Sequence, residues 1–154
     1  MKPLAYRIRP TEFTDVYGQD HLVSQDGVLS LMLKKGKLLS FILYGPPGTG
    51  KTTIATIFAE KSGHEFYFFN ASTDNKQRLK DILDTTAYKD ILIVVDEIHR
   101  MKKDIQDYLL PFMENGKATV IGLTTLNPYQ SVNPAIRSRC HLYEVKKLTD
   151  EAIE

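Results

Sequence analysis

Apolar and polar positions along this chain follow two alternating periods. Short apolar runs at 41–44, 65–70, 91–95, 119–125 and 141–145 predict strands, the second of them rich in aromatics. Between the runs, apolar residues recur at the spacing of a helix that buries one face. Ile54, Ile57 and Phe58 do so over 52–61, Leu79, Ile82 and Leu83 over 76–86, and Ile105, Leu109 and Met113 over 103–113. An earlier helix is predicted over about 21–35, with Leu22, Val23, Val28, Leu29, Leu31, Met32 and Leu33 supplying an apolar face and Gly27 as the point where it would split. Gly36, behind Lys34 and Lys35, ends it, and Gly63 ends the helix over 52–61. Asp74 or Asn75 caps the next helix, and Pro111 predicts a kink in the last turn of 103–113. A short helix over 134–138 precedes the last strand. The run at 91–95 is uniformly apolar and mostly β-branched, as in a central parallel strand buried on both faces. Strands alternating with helices predict a three-layer α/β sandwich around a parallel sheet. Residues 1–10, with two prolines among Lys2, Arg7 and Arg9, read as extended surface chain.

The most informative stretch joins the first strand to the helix after it. Gly45-Pro46-Pro47-Gly48-Thr49-Gly50-Lys51-Thr52 matches G-x-x-x-x-G-K-[ST], with Thr53 following inside the helix. Gly45, Gly48 and Gly50 permit backbone angles that let successive N–H groups turn inward around phosphate oxygens. Pro46 and Pro47 stiffen the entry. Lys51 brings a charge to the β- and γ-phosphates, and the Thr52 hydroxyl is a ligand for Mg²⁺. The helix begins with its positive end toward the same phosphates. This pattern predicts a site for a nucleoside triphosphate.

Two acids, Asp96 and Glu97, close the apolar run at 91–95. In phosphate-loop enzymes such a strand, expected beside the loop, presents an aspartate to Mg²⁺; Asp96 takes that role and Glu97 is the candidate base for the attacking water. Acids at a strand's C-terminal edge face the crevice where ligands bind in parallel sheets. Asn127, after Thr124-Thr125-Leu126, is a candidate for orienting that water, or else a turn former before Pro128. Arg139 is a candidate arginine finger for a neighbour's γ-phosphate, whereas Arg137 reads as a surface residue. His99 reads as a hydrogen-bonding group near the site rather than a metal ligand, since no second ligand lies at suitable spacing. Asn70 either restrains Glu97 or caps its own strand. The Lys34-Lys35-Lys37 and Arg100-Lys102-Lys103 clusters read as solvated faces, with a nucleic-acid backbone as the alternative contact.

Composition narrows the setting. The chain has 154 residues, 42% of them hydrophobic and 25% charged, which suits one domain with a real core. A net charge of +1 does not by itself mark a nucleic-acid binder. The lone Cys140 excludes an internal disulfide and fits a reducing compartment. Neither a secretory signal nor a membrane-spanning run is legible, so the expectation is a cytoplasmic protein.

Tyr44 through Thr52, Val94-Val95-Asp96-Glu97-Ile98-His99-Arg100, Thr124 through Asn127, and Ser138-Arg139-Cys140 together resemble the AAA+ ATPases of the clamp-loader clade. The wording at 3–10, 17–23, 106–111 and 127–134 is similar to the bacterial replication-associated recombination protein A family and to its eukaryotic relative, the Werner-helicase-interacting ATPase. The resemblance implies a five-stranded parallel AAA+ sheet flanked by helices, and ATP with Mg²⁺ as cofactors. It implies that Val16, Tyr17 and Gly18 line the adenine pocket, that Lys51, Thr52, Asp96 and Glu97 are the Walker residues, that Asn127 is the sensor and that Arg139 is the finger. It also implies work on single-stranded or forked DNA at stalled or damaged replication forks, with single-strand-binding protein, as a homo-oligomer. By this reading 1–148 is the nucleotide-binding subdomain. A helical lid opens at Leu148-Thr149-Asp150, so 149–154 would be the start of a longer chain, and the segment alone is expected to be weakly active and monomeric. A clamp-loader-like or Holliday-junction-motor-like subunit using ATP mainly as an assembly switch is the neighbouring reading, and an intact Glu97 argues against a non-hydrolysing subunit. A small-molecule phosphate-loop kinase leaves Asp96, Glu97, Asn127 and Arg139 without a reason.

Overall fold

The computed structural model describes residues 19–85 and 89–146. Val16, Tyr17, Gly18, the stretch 1–10 and the helix expected from 148 lie outside the described residues. Helices α1 (Asp20–Val23) and α2 (Val28–Lys35) lead into strand β1 (Phe41–Tyr44) and helix α3 (Lys51–Lys61). Strand β2 (Glu65–Asn70), helix α4 (Lys76–Thr85) and strand β3 (Ile91–Asp96) follow. A 3-10 turn (Ile98–Arg100), helix α5 (Lys103–Glu114), strand β4 (Ala118–Thr124), the short helices α6 (Pro128–Ser131) and α7 (Pro134–Arg137), and strand β5 (His141–Glu144) complete the order.

The five strands form one sheet in the order β2-β3-β4-β1-β5, every neighbouring pair parallel. Parallel strands need crossovers, and the intervening helices supply them on both faces. In β3 the side-chain period of two sends Ile91, Ile93 and Val95 into one apolar layer and Leu92 and Val94 into the other. That explains a strand with no polar position before its end. One layer packs Leu29, Phe41, Ile54 and Phe58 around α2 and α3; the opposite one packs Leu79, Ile105, Leu109 and Ile136 around α4, α5 and α7. The α/β sandwich expected from the sequence is the fold observed.

Differences from the expected elements are local. The first helix is broken at 24–27, where a Cβ on Gly27 would lie 2.5 Å from the Leu22 carbonyl carbon and oxygen. Asn75 caps α4 through its Oδ1, which accepts from Arg78 N–H (3.0 Å), while Asp74 turns back to accept from Asn70 N–H (2.8 Å). Helix α5 runs through the exposed Pro111 to Glu114. The sequence reading passed over α6. Its signal was an asparagine followed by proline, the pattern that also opens α7: Asn127 Oδ1 accepts from Tyr129 N–H (2.9 Å) and Asn133 Oδ1 from Ala135 N–H (2.8 Å).

One expectation about the sheet is corrected. The acid-bearing strand is not the neighbour of the loop-bearing strand, because β4 lies between β3 and β1. Two strand spacings, roughly 9–10 Å, therefore separate the two C-terminal ends. That leaves width for a polyphosphate across the end of β4.

Candidate functional site: the crevice above the sheet

The chain leaves β1 at Tyr44 and turns into α3 through a loop that is packed from below. Gly45 donates its N–H to the Thr124 carbonyl (3.2 Å), and a Cβ on Gly45 would lie 2.1 Å from the Val145 carbonyl oxygen. Gly50 caps α3 in the left-handed region (φ 90°, ψ 19°), which only glycine adopts without strain. The Thr49 hydroxyl donates to the Pro46 carbonyl (2.8 Å). Lys51, the first residue of α3, folds its ammonium back onto the carbonyls of Gly45 (2.7 Å) and Pro46 (2.8 Å), with Thr49 Oγ1 at 3.3 Å. Burial lowers the Lys51 pKa, and the negative charge of Asp96 pulls it back up. The first turn of α3 holds no acidic residue, so its positive pole meets the crevice undiminished.

Opposite the loop, β3 ends in the exposed carboxylate of Asp96, whose Oδ1 accepts from Glu97 N–H (2.9 Å). Pro47 through Thr53, Asp96 and Thr125 line one crevice of about 310 Å³. Thus the loop and the first of the two acids meet in a single site at the C-terminal edge of the sheet, as the sequence predicted. Its donors suit a hard divalent cation: the Asp96 carboxylate and the Thr52 hydroxyl share the lining. Among the described residues no group of three or more His, Cys, Asp or Glu could hold a metal ion. A cation here would have to bring most of its oxygen ligands with it, as Mg²⁺ on a triphosphate does.

The other predicted residues, Glu97, Asn127 and Arg139 among them, are not part of that lining. Glu97 follows Asp96, half-buried, in the left-handed region (φ 50°, ψ 47°). Asn127 is exposed, with Oδ1 engaged as the cap of α6. Arg139 is exposed, ion-paired with Glu114 of α5 and donating to the Ala135 carbonyl (2.8 Å). Arg137 donates to the carbonyls of Pro128 (3.4 Å), Tyr129 (2.8 Å) and Val132 (3.3 Å), which staples α6 to α7. Asn70 Oδ1 accepts from Ser72 and Thr73 N–H (2.9 and 3.2 Å) as a strand-end cap. The Lys34, Lys35, Lys37 and Arg100, Lys102, Lys103 clusters are solvent-exposed.

Sequence reasoning gave no role to two residues, one in the crevice lining and one buried under the end of β5. Thr125 lines the crevice, and its signal was its position at the end of β4. Gln19 is fully buried, its amide donating to the Lys146 carbonyl (2.6 Å) and accepting from Lys146 N–H (3.0 Å). That pair ties the approach to α1 to the segment after β5, next to the Val145 carbonyl that crowds Gly45. A lone polar residue in a surface-like stretch gives no sign of such a long-range contact.

Fold and crevice together belong to the phosphate-loop nucleotide-binding class. Within it the match is specific: the model of the ATPase family associated with various cellular activities (AAA) covers residues 41–147, and the chain belongs to that family. Membership of that family implies ATP binding. Replication-associated recombination protein A of Bacillus subtilis is 46% identical over all of this chain and 37% of its own length. ATPase WRNIP1 of Dictyostelium discoideum is 40% identical over 99% of this chain and 18% of its own. A solved structure of Thermotoga maritima RuvB shares the fold, with a TM-score of 0.79 at 24% identity over 95% of this chain and 52% of that one. The chain therefore spans about a third of the length of the first of these relatives. Among the described residues no helix is long and apolar enough to cross a membrane.

Proposed function

We propose that this domain is the ATP-binding and ATP-hydrolysing core of a cytoplasmic AAA+ ATPase associated with DNA replication and recombination, acting at stalled or damaged forks. The observation that carries the reading is the convergence of Lys51, Thr52 and Asp96 on one crevice in a chain 46% identical to a replication-associated recombination protein.

In this reading Lys51 exchanges the carbonyls of Gly45 and Pro46 for phosphate oxygens when ATP enters. The loop N–H groups and the first turn of α3 hold the β- and γ-phosphates. Asp96 and Thr52 hold Mg²⁺, which when bound neutralises charge on the β- and γ-oxygens. Glu97 takes a proton from the water that attacks the γ-phosphate in line, and Asn127 or Thr125 orients that water. Arg139 leaves Glu114 and reaches the γ-phosphate of a neighbouring subunit, where its charge stabilises the transition state. The assembly is a homo-oligomer, its substrate DNA single-stranded or forked, and single-strand-binding protein its partner. The segment alone, a third of its relative's length, binds nucleotide weakly and turns over slowly.

The test is phosphate release from Mg²⁺–ATP by the complete native polypeptide, with and without forked DNA and with a panel of small hydroxyl acceptors. Release stimulated by DNA supports the reading; transfer to a small acceptor would replace it with a kinase. Subunit mixing tests the finger. Arg139→Ala alone is expected to lose on the order of 10³ in rate, and mixing with Glu97→Gln subunits to restore activity. No restoration at any ratio removes the action in trans.

A further inference from the structure

Thr124, the last residue of β4, bonds to the entry of the phosphate loop, to the turn that follows β4 and to the turn that follows the two acids. Its carbonyl accepts from Gly45 N–H at the entry to the phosphate loop (3.2 Å). Its hydroxyl, on a residue only 3% exposed, accepts from Leu126 N–H (3.0 Å) and so shapes the turn that carries Thr125. The same hydroxyl lies 2.8 Å from Nδ1 of His99, on the 3-10 turn that follows Glu97. That bond joins the turn to β4 across 25 positions of sequence.

The acid turn needs an external brace. Glu97 is the one non-glycine residue at positive φ among the described residues. Local hydrogen bonds close the turn, with Glu97 N–H on Asp96 Oδ1 (2.9 Å) and Arg100 N–H on the Glu97 carbonyl (2.8 Å), but they do not fix it against the sheet. Two contacts do. Ile98 is buried over Gly122, where a Cβ would come within 2.6 Å of Ile98 Cδ1. His99 supplies the second and the directional one.

We infer that His99 is a positioning residue: its bond to Thr124 locks the turn bearing Glu97 to the turn bearing Thr125, so that the base keeps one geometry relative to the part of the crevice that β4 supplies. The inference rests on the hydrolytic reading of Glu97 above. Nucleotide affinity, set by the loop after β1, does not depend on this bond, whereas the rate of the chemical step does, because a small misplacement of a catalytic group is costly in rate.

The experiment measures kcat, KM and Mg²⁺–ATP affinity in the complete native polypeptide for wild type, His99→Ala, His99→Asn, Thr124→Val and the double variant His99→Ala/Thr124→Val. His99→Ala is expected to lower kcat about tenfold or more, with KM and affinity within about twofold. Asparagine, whose amide reaches the position of Nδ1, is expected to recover most of the loss. Thr124→Val is expected to match His99→Ala, and the double variant to be no worse than either. Wild-type kcat in His99→Ala, losses that multiply in the double variant, or failure of His99→Asn to recover would each overturn the inference. A role confined to stability would lower the melting temperature of His99→Ala and leave kcat of the folded fraction intact, which also overturns it. Glu97→Gln separates the two levels: if it abolishes turnover while His99→Ala does not lower it, hydrolysis stands and the positioning role fails. If wild type releases no phosphate, both fail.

Discussion

Two turns face each other across the crevice, and they are held in opposite ways. Beyond its entry, where Gly45 N–H donates to the Thr124 carbonyl, the phosphate loop is held by its own bonds, with glycine at its left-handed cap, Thr49 on the Pro46 carbonyl and Lys51 folded onto the loop's own oxygens. The acid turn holds a glutamate at a comparable positive φ and relies on β4, through Gly122 beneath Ile98 and Thr124 beside His99. A loop so held can wait for its ligand in a fixed shape. A braced turn reports on the strand that braces it, so whatever moves the end of β4 moves Glu97.

That contrast sets out the substitutions that would break or sharpen it. The largest effect is expected on the chemical step: Glu97→Gln removes the base and lowers the phosphate-release rate on the order of 10² or more, while ATP binding, measured calorimetrically, is retained. A smaller but structural effect is expected at the brace. Gly122→Ala drives a methyl to within 2.6 Å of Ile98 Cδ1 and 3.1 Å of Ile42 Cγ1, and should destabilise the fold by about 1–3 kcal/mol in denaturant titration.

The third pair compares the turns directly. Gly50→Ala places a Cβ at φ 90° and should lose about 1–2 kcal/mol, whereas Glu97→Gly relieves the left-handed strain and should leave thermal stability level or raised. Equal losses in both would show that the acid turn is not strained.

The smallest effect lies away from both turns. Burial pushes the Cys140 thiol up to about 12 from 9.0. The folded state therefore favours the neutral thiol, and its contribution is complete below the unfolded value and lost as pH rises toward 12. At pH 10 the loss should be about 1 kcal/mol. Tyr44 and Tyr143, also raised chiefly by burial, act in the same direction, and Lys51, lowered by burial, in the opposite one. Comparing melting at pH 8 and pH 10 in wild type and Cys140→Ala isolates the thiol.

The same contrast explains what could be read from sequence. The phosphate loop was legible because its shape is encoded in residues a few positions apart, and the strands were legible because β3 is apolar at every position before Asp96 and β4 at most of its own. The placement of β4 between the loop strand and the acid strand was not, since strand order depends on pairings far apart in sequence. Thr125, which lines the crevice, was given no role, and Asn127, weighed as a water-orienting group or a turn former, caps α6. Gln19 and His99 were invisible in their contacts for the same reason: Lys146 and Thr124 reach them only once the sheet is assembled. Arg137 and Arg139, two positions apart and chemically identical, are distinguished by their partners alone. Three carbonyls hold the first in place, while the second is exposed beside Glu114.

The central claim is that the loop after β1 and the acid ending β3 grip one magnesium–triphosphate between them. Its most direct test is the affinity for ATP, with and without Mg²⁺, of wild type, Lys51→Ala and Asp96→Asn. The account predicts that Lys51→Ala weakens binding in both conditions and that Asp96→Asn removes the part that Mg²⁺ adds. Binding that neither substitution changes would contradict it.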